Sequence, residues 1–271
     1  MPKNVTACRR TFLEANGIRL HVTQQGTGPL VLLCQGFPAT AHAWRHQLAA
    51  LAHTGYHTVA PDLRGYGLSD CPLAVEQYTV FDSLGDLIGL VDALGARDAL
   101  VTGNDSDATL AWQTALLRPD RFRAVAALGV PLMGRAPMVP SPMFPHTDRT
   151  WFYTHYFVEP GLAESELGRD IGLALRQIYL SASGDIGAHG ADTPSPFGLL
   201  PRRSGLLDSL RDPPVLPAWL PPSDLEAFVQ SYRASGFRGG WNDYRNRDRN
   251  WARQAGFDGL TVRPSGPLSY R

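Results

Sequence analysis

The sequence predicts an α/β fold in which helices cover a mostly parallel sheet. Between residues 30 and 128, short apolar segments alternate with longer segments whose apolar residues recur at helical spacing. Strands that alternate with helices favour parallel pairing, because each helix returns the chain to the start of the next strand. At 271 residues, the chain is long enough for one such domain with a sizeable core, or for two small ones.

An antiparallel hairpin precedes the parallel strands. Apolar and polar residues alternate in residues 11–14 and 18–24, which flank the turn sequence Asn16-Gly17. The strands predicted after the hairpin are residues 30–33, 57–61, 99–102 and 124–128, and the helices between them are residues 42–53, 81–94 and 109–117. The first half of the chain therefore carries six predicted strands.

The pattern changes from about residue 134, where prolines cluster. Ser223 and Glu226 form a capping-box pattern at the start of one later helix. The helices predicted here are residues 149–157, 162–179, 223–232 and 241–251, with an irregular Gly/Pro/Ser-rich stretch over 181–222. We therefore divide the chain into an α/β core (residues 1–133), a helical lid inserted after the sixth strand (134–251) and an atypical tail (252–271).

Composition argues against several classes of partner. Basic and acidic residues balance at 25 each, so neither nucleic acid nor an acidic membrane surface is expected. No segment approaches the roughly 20 apolar residues of a membrane helix, and the N-terminus lacks the apolar core of a signal peptide. Cys8, Cys34 and Cys71 show no metal or redox spacing, which indicates reduced thiols in a cytoplasmic protein without a metal.

Three polar loops follow predicted parallel strands. They are residues 35–38, 62–70 and 104–107. In open α/β sheets, ligands bind beyond the carboxyl ends of the strands, and all three loops fall at those ends. A dinucleotide site is disfavoured, because Gly65-Tyr-Gly67 is not followed by a third glycine at the required spacing. The sequence therefore predicts a small-molecule site at this edge of the sheet.

Asp105 lies in the turn between the strand at 99–102 and the helix at 109–117. A sharp strand-to-helix turn can hold one side chain outward and can present helix N-terminal amides, which favour negative charge. That geometry suits a nucleophile. The alternative is that Asp105, Ser106 and Asp107 only cap the helix, because Asp and Ser are preferred cap residues.

Five motifs in chain order resemble those of the α/β-hydrolase fold and, within it, the epoxide hydrolases. The resemblance runs from about Thr11 to Trp251 and departs at Gln35, where the family has histidine. The motifs are Gln35-Gly-Phe-Pro38, Asp62-Leu-Arg-Gly-Tyr-Gly67, Gly103-Asn-Asp-Ser-Asp-Ala108, Tyr153-Thr-His-Tyr-Phe-Val-Glu-Pro-Gly161 and Gly236-Phe-Arg-Gly-Gly-Trp-Asn-Asp-Tyr-Arg-Asn246. No single motif is sufficient, but five in the family's order are specific.

The resemblance implies a role for each of five residues. Asp105 would attack an epoxide carbon and form an alkyl-enzyme ester. Tyr153 and Tyr244 would donate hydrogen bonds to the opening oxygen, and water would then release a vicinal diol. The backbone amides of Phe37 and Ser106 would stabilise the oxyanion of that second step. The aromatic lid residues suggest a hydrophobic epoxide as substrate: Trp151, Phe152, Phe157 and Trp241.

Two departures bear on turnover. Asp107 occupies a position where the family has a small residue, and a second carboxylate would raise the pKa of one of the pair. The family's hydrolytic base is a histidine near its C-terminus, paired with an acidic residue, but no histidine follows His189. The sequence after Trp251 does not match the family's last two strands, which indicates truncation or a changed reading frame. We therefore expect slow hydrolysis of the ester, and we interpret His42, His46 and His155 as surface or lid residues.

Two other functions stay open at this point. The protein could be an impaired remnant that binds apolar small molecules under its lid, or a serine esterase that uses Ser106. Missing strands would also leave a sheet edge uncovered, which favours a homodimer or aggregation.

Overall fold

A six-stranded sheet with strand order β1-β2-β4-β3-β5-β6 lies at the centre of the fold. The computed structural model describes residues 7–186 and 197–261. The strands are β1 (Arg9–Ala15), β2 (Ile18–Gln25), β3 (Leu30–Gln35), β4 (His57–Pro61), β5 (Ala99–Asn104) and β6 (Phe122–Leu128). The pairs β1–β2 and β2–β4 are antiparallel, and the pairs β4–β3, β3–β5 and β5–β6 are parallel. The predicted hairpin and the mostly parallel sheet are confirmed.

Three helices cover the two faces of this sheet: α1 (Arg45–His53), α2 (Val80–Ala93) and α3 (Ser106–Leu117). Alternate residues of β3 point to opposite faces. Val31 and Leu33 pack with α1, whereas Leu32 belongs to the larger cluster under α2 and α3. Helix α2 begins at a capping box, in which Thr79 and Asp82 each bind the other's backbone N–H.

The chain after β6 forms what we call the helical segment, residues 150–257. Its elements are β7 (Thr150–Phe152), α4 (Tyr153–Val158), α5 (Leu162–Leu167), α6 (Ile171–Ser181), β8 (Leu199–Pro201), α7 (Pro222–Ser235), α8 (Arg238–Arg245) and α9 (Arg247–Arg253). The predicted helix over 149–157 is partly wrong, because its first residues pair with β8 as an antiparallel strand. The predicted helix over 162–179 is two helices, and Asp170 caps the second by accepting from the Leu173 amide.

The capping box predicted at Ser223 is wrong. Helix α7 begins at Pro222, and its N-terminus has no side-chain cap. Proline at the first helical positions has a φ angle suited to the helix and no N–H to satisfy. Glu226 binds Gln230 and Arg233 along the helix instead of reaching back. The predicted helix over 241–251 is divided between α8 and α9 at Asn246, whose side chain donates to the Asn242 carbonyl.

Within the described ranges, the sheet ends at β6, and its outer edge is unpaired. Ala124, Ala126 and Leu128 are exposed on one face of this strand. On the same face of the neighbouring strand β5, Leu100 and Thr102 are half-buried. The structure therefore has an apolar strip and a free parallel edge. No helix in the described part is long and apolar enough to cross a membrane.

Candidate active site

Asp105 lies in a strained turn between β5 and α3. Its φ of 56° and ψ of −130° are unusual for a residue with a Cβ atom. The Asp105 amide donates to the Leu128 carbonyl at 3.1 Å, and its carbonyl accepts from the Ala108 amide at 3.0 Å. Its side chain makes no capping hydrogen bond and is exposed. Asp105 is thus the N-cap residue of α3, but it makes no side-chain capping hydrogen bond of the usual kind.

Gly103 is the small residue that permits the close approach of β5 and α3. A Cβ atom on Gly103 would collide with the backbone carbonyl of Asp107. We expected the small residue at position 107 itself, but the tight contact there involves the Asp107 backbone. The Asp107 side chain is half-buried and takes no part in this close backbone contact. An aspartate is therefore compatible with this turn.

The loop after β3 approaches the Asp105 carboxylate directly. Gly36 donates to the Asn104 carbonyl at 3.1 Å, which ties this loop to the end of β5. A Cβ atom on Gly36 would lie 2.5 Å from Ser106 Oγ and 2.6 Å from Asp105 Oδ2. In the described part of the chain, the Phe37 amide has no hydrogen-bond acceptor. The predicted oxyanion-hole residues and the carboxylate are thus neighbours.

The turn carries two carboxylates without a counter-charge. No Lys, Arg or His nitrogen in the described ranges lies within 4.0 Å of Asp105 or Asp107. Burial raises the pKa of Asp105, while the Ser106 amide and hydroxyl act to lower it. Burial raises the pKa of Asp107 well above its usual value, and the charges of Asp243 and Asp105 add to this. Asp105 and Asp107 keep some solvent exposure although protein surrounds much of each carboxylate.

Tyr153 and Tyr244 come from α4 and α8 and face each other. Their ring centroids are 6.2 Å apart with an interplanar angle of 78°. Burial raises the pKa of Tyr153, and the Asp105 charge raises it further, whereas Arg247 and a hydrogen bond with Tyr244 lower it. Burial, Tyr153 and Asp105 raise the pKa of Tyr244. The charge of Asp105 therefore acts on both phenols.

Phe37 links the loop after β3 to the helical segment. Its ring contacts four buried aromatic rings, with centroid distances of 5.4–6.2 Å. These rings are Phe157, Tyr232, Phe237 and Trp241. The position of the Phe37 amide is therefore fixed by packing across the two parts of the molecule.

Two of the three histidines considered above have partners other than the carboxylates of the turn. His42 Nε2 lies 2.9 Å from Asp224 Oδ1, and His155 Nε2 lies 3.2 Å from the Phe144 carbonyl. His46 is exposed on α1. No histidine is among the groups that shift the pKa of Asp105. His189 lies outside the described residues.

Sequence reasoning missed Asp243 and Arg247. The charge of Asp243 raises the pKa of Asp107, and Arg247 lies over the Tyr244 ring. The spacing of three residues between Tyr244 and Arg247 was an available signal, because such residues are neighbours on a helix. In the part of the chain that the structure covers, no group of three His, Cys, Asp or Glu side chains could hold a metal ion.

Comparison with known proteins identifies the class. Residues 29–172 match the family model of the α/β hydrolase fold. Epoxide hydrolase A of Mycobacterium tuberculosis is 40% identical over 254 residues, covering 93% of this chain and 78% of that protein. The chain therefore belongs to the α/β-hydrolase fold family.

Solved structures narrow this assignment. The crystal structure of epoxide hydrolase A from Mycobacterium thermoresistibile matches with a TM-score of 0.87 at 38% identity, covering 94% of this chain and 80% of that chain. An epoxide hydrolase from an endophytic Streptomyces matches with a TM-score of 0.88 at 39% identity, covering 93% and 76%. Within the fold family, the chain is a hydrolase of the epoxide hydrolase family.

Proposed function

We propose that this protein opens hydrophobic epoxides through Asp105. A carboxylate oxygen attacks one epoxide carbon, the C–O bond breaks, and the released oxygen takes a proton from Tyr153 or Tyr244. The products are an alkyl-enzyme ester and a phenolate, which water reprotonates. Water then attacks the ester carbonyl, and one of its protons goes to the departing diol oxygen. The other neutralises the hydroxide left by reprotonation of the phenolate, so that the vicinal diol leaves and the carboxylate is restored. The observation that carries the proposal is a strained, accessible carboxylate without a cation, next to two phenols.

The amides of Phe37 and Ser106 serve the second step in this proposal. A tetrahedral oxyanion needs donors that already point at it, and losing one donor typically costs about 10²–10³ in rate. The free Phe37 amide and the closeness of Gly36 to Asp105 support the assignment. The assignment depends on main-chain donors, so serine at position 106 is compatible with it.

We also propose that the ester is hydrolysed slowly. General-base assistance is typically worth about 10²–10⁴ in rate. No described histidine contacts Asp105, and no histidine follows His189 in the sequence. Alkylation is therefore expected to outpace hydrolysis, so that the ester accumulates.

Residues 134–251 act as a lid over the core of residues 1–133 in this proposal, with 252–271 as a tail. The contacts of Phe37 with rings of the helical segment support a lid. The free edge of β6 supports association into a homodimer. We retain a cytoplasmic location as a proposal on the evidence of cysteine use.

Intact mass spectrometry after incubation with styrene oxide tests the proposal. We expect a mass increase of one epoxide, located on Asp105 by peptide mapping and absent in Asp105→Asn. The matched control is Asp148→Asn, which changes an exposed aspartate and keeps the adduct. An unmodified wild-type protein that also makes no diol would overturn the proposal.

The two alternatives predict different results. If the protein is an impaired remnant, it binds styrene oxide without forming an adduct. The Asp105→Asn variant then binds styrene oxide as well as the wild-type protein does. A serine esterase reacts at Ser106 with a fluorophosphonate probe. The Ser106 hydroxyl lowers the pKa of Asp105, which supports a role for Ser106 beside the carboxylate rather than as the nucleophile.

A further inference from the structure

Arg247 is a cation held against the proposed acid residues. It is the first residue of α9 and is half-buried. Its guanidinium carbon lies 4.3 Å from the Phe144 ring centroid and 5.6 Å from the Tyr244 ring centroid. Cations this close to a ring face are attracted by the ring quadrupole. Among residues 7–186 and 197–261, no carboxylate lies within 4.0 Å of Arg247.

We propose that Arg247 is a positioning residue for epoxide opening, whose fixed positive charge stabilises the negative charge that develops on the phenol oxygens of Tyr153 and Tyr244. The inference rests on the proposed function. It concerns only the first step, in which a phenol O–H bond breaks and its proton passes to the epoxide oxygen. Arg247 itself neither gains nor loses a proton.

The charges that face the phenols make this role necessary. The charge of Asp105 acts on both phenols, and the charge of Asp243 acts on Tyr244 from the same helix. Each carboxylate raises the phenol pKa and so weakens the phenol as a proton donor. Arg247 is the cation among the groups that act on Tyr153 and Tyr244, and it lowers the pKa of both. In a partly desolvated site, one charge at this range changes proton affinity appreciably.

Within the described ranges, no acidic partner lies at ion-pair distance from Arg247, although its charge also acts on Asp243, where burial raises the pKa of the carboxyl and Arg247 acts to lower it. A guanidinium paired with a carboxylate would present little net charge to the phenols. The two rings of Phe144 and Tyr244 hold Arg247 without neutralising it. A role in binding an anionic substrate group is less favoured, because Asp105, Asp107 and Asp243 would repel such a group.

Single-turnover alkylation by styrene oxide, measured across the neutral and alkaline range, tests the role. In Arg247→Gln we expect a fall of about tenfold at neutral pH, equivalent to about one pKa unit in the donor. The alkaline limb of the rate profile should move to higher pH, because the phenols then ionise less readily. Arg247→Lys should restore most of the rate. Arg253→Gln, which changes an exposed residue of the same helix, is the matched control.

Tyrosine NMR titration gives a second readout that needs no epoxide. Tyr153→Phe and Tyr244→Phe assign the two signals, and both pKa values should rise in Arg247→Gln. This test separates the inference from the proposed function, since the shift can be measured even if no adduct forms. Unchanged pKa values, or a rate loss without movement of the alkaline limb, would overturn the inference. A loss confined to an epoxide that carries a carboxylate would overturn it in favour of substrate binding.

Discussion

The loop after β4 and the turn after β5 lie at the same edge of the sheet and treat charge in opposite ways. In the loop, Arg64 donates two hydrogen bonds of 2.6 Å to Asp86, and both side chains are at most 5% exposed. In the turn, Asp105 and Asp107 lie close together without a cation. The loop therefore neutralises its buried charge locally, whereas the turn leaves its charge available.

The difference separates a structural carboxylate, Asp86, from the proposed nucleophile, Asp105. A buried ion pair must be complete, because either partner alone is costly inside the protein. An attacking carboxylate needs the opposite arrangement, because a tight ion pair would occupy its oxygens. The turn accepts unbalanced charge and backbone strain, which lower stability, and it keeps a group that can react.

Breaking the buried ion pair between Arg64 and Asp86 should have the largest effect of the substitutions considered, a loss of stability. In Arg64→Met, Asp86 loses its counter-charge, and we expect the free energy of unfolding to fall by about 3–5 kcal/mol. Urea denaturation at neutral pH measures this change. Arg118→Met, which breaks the exposed pair with Asp120, should leave stability nearly unchanged. Equal losses in both variants would contradict the contrast between the two regions.

Removing a phenol hydroxyl should have a smaller effect and should spare stability. Tyr153→Phe or Tyr244→Phe should slow ester formation by about 10²-fold, the lower end for general acid catalysis, because the second phenol still donates. That factor corresponds to about 2.7 kcal/mol of activation free energy. The double variant should be slower than either. The control is Tyr56→Phe, which changes a tyrosine packed in the cluster under α1. If Tyr153→Phe or Tyr244→Phe forms the ester at the full rate, the assignment of that tyrosine is refuted.

Removing the Asp107 carboxylate should have the smallest effect. Unlike Arg64→Met, it should raise the free energy of unfolding. The pKa of Asp107 is raised in the folded protein, so the folded state binds its proton more tightly than the unfolded state. Stability therefore falls as pH rises from the ordinary aspartate pKa through the raised one. Asp107→Asn removes this loss and should raise the free energy of unfolding by about 1 kcal/mol at neutral pH, the usual size of a single-residue effect.

Urea denaturation of Asp107→Asn at two pH values provides the check. The gain should disappear below the ordinary aspartate pKa, where Asp107 is protonated in both states. A variant that is less stable than wild type at neutral pH would show that Asp107 supports the fold through bonds rather than burdening it with charge.

Much of this architecture could be predicted from local pattern. The apolar runs gave the bounds of β4 without error, and those of the other predicted strands to within two residues. The turn after a buried strand made Asp105 a candidate for the outward residue, with a helix cap as the alternative. Pairing Asp105 with Tyr153 and Tyr244, which lie far along the chain, required the family motifs, because no periodicity relates such distant residues.

The remaining features depend on tertiary contacts. Residues 150–152 look helical in isolation but pair with β8. The capping box predicted at Ser223 does not form, because the helix begins one residue earlier, at Pro222. The position of Arg247 was only partly predictable: its contact with Tyr244 follows from local spacing, whereas its contact with Phe144 joins residues far apart in the sequence.

The ring of Phe37 has a consequence for how this protein could change. Its amide is a proposed donor to the oxyanion, while its side chain lies within a nest of rings supplied by the helical segment. A shift of those helices that makes room for a larger ligand would therefore also move the backbone amide of Phe37. In the proposed mechanism, a change in the helical segment that alters the range of accepted epoxides therefore also alters the rate of ester hydrolysis.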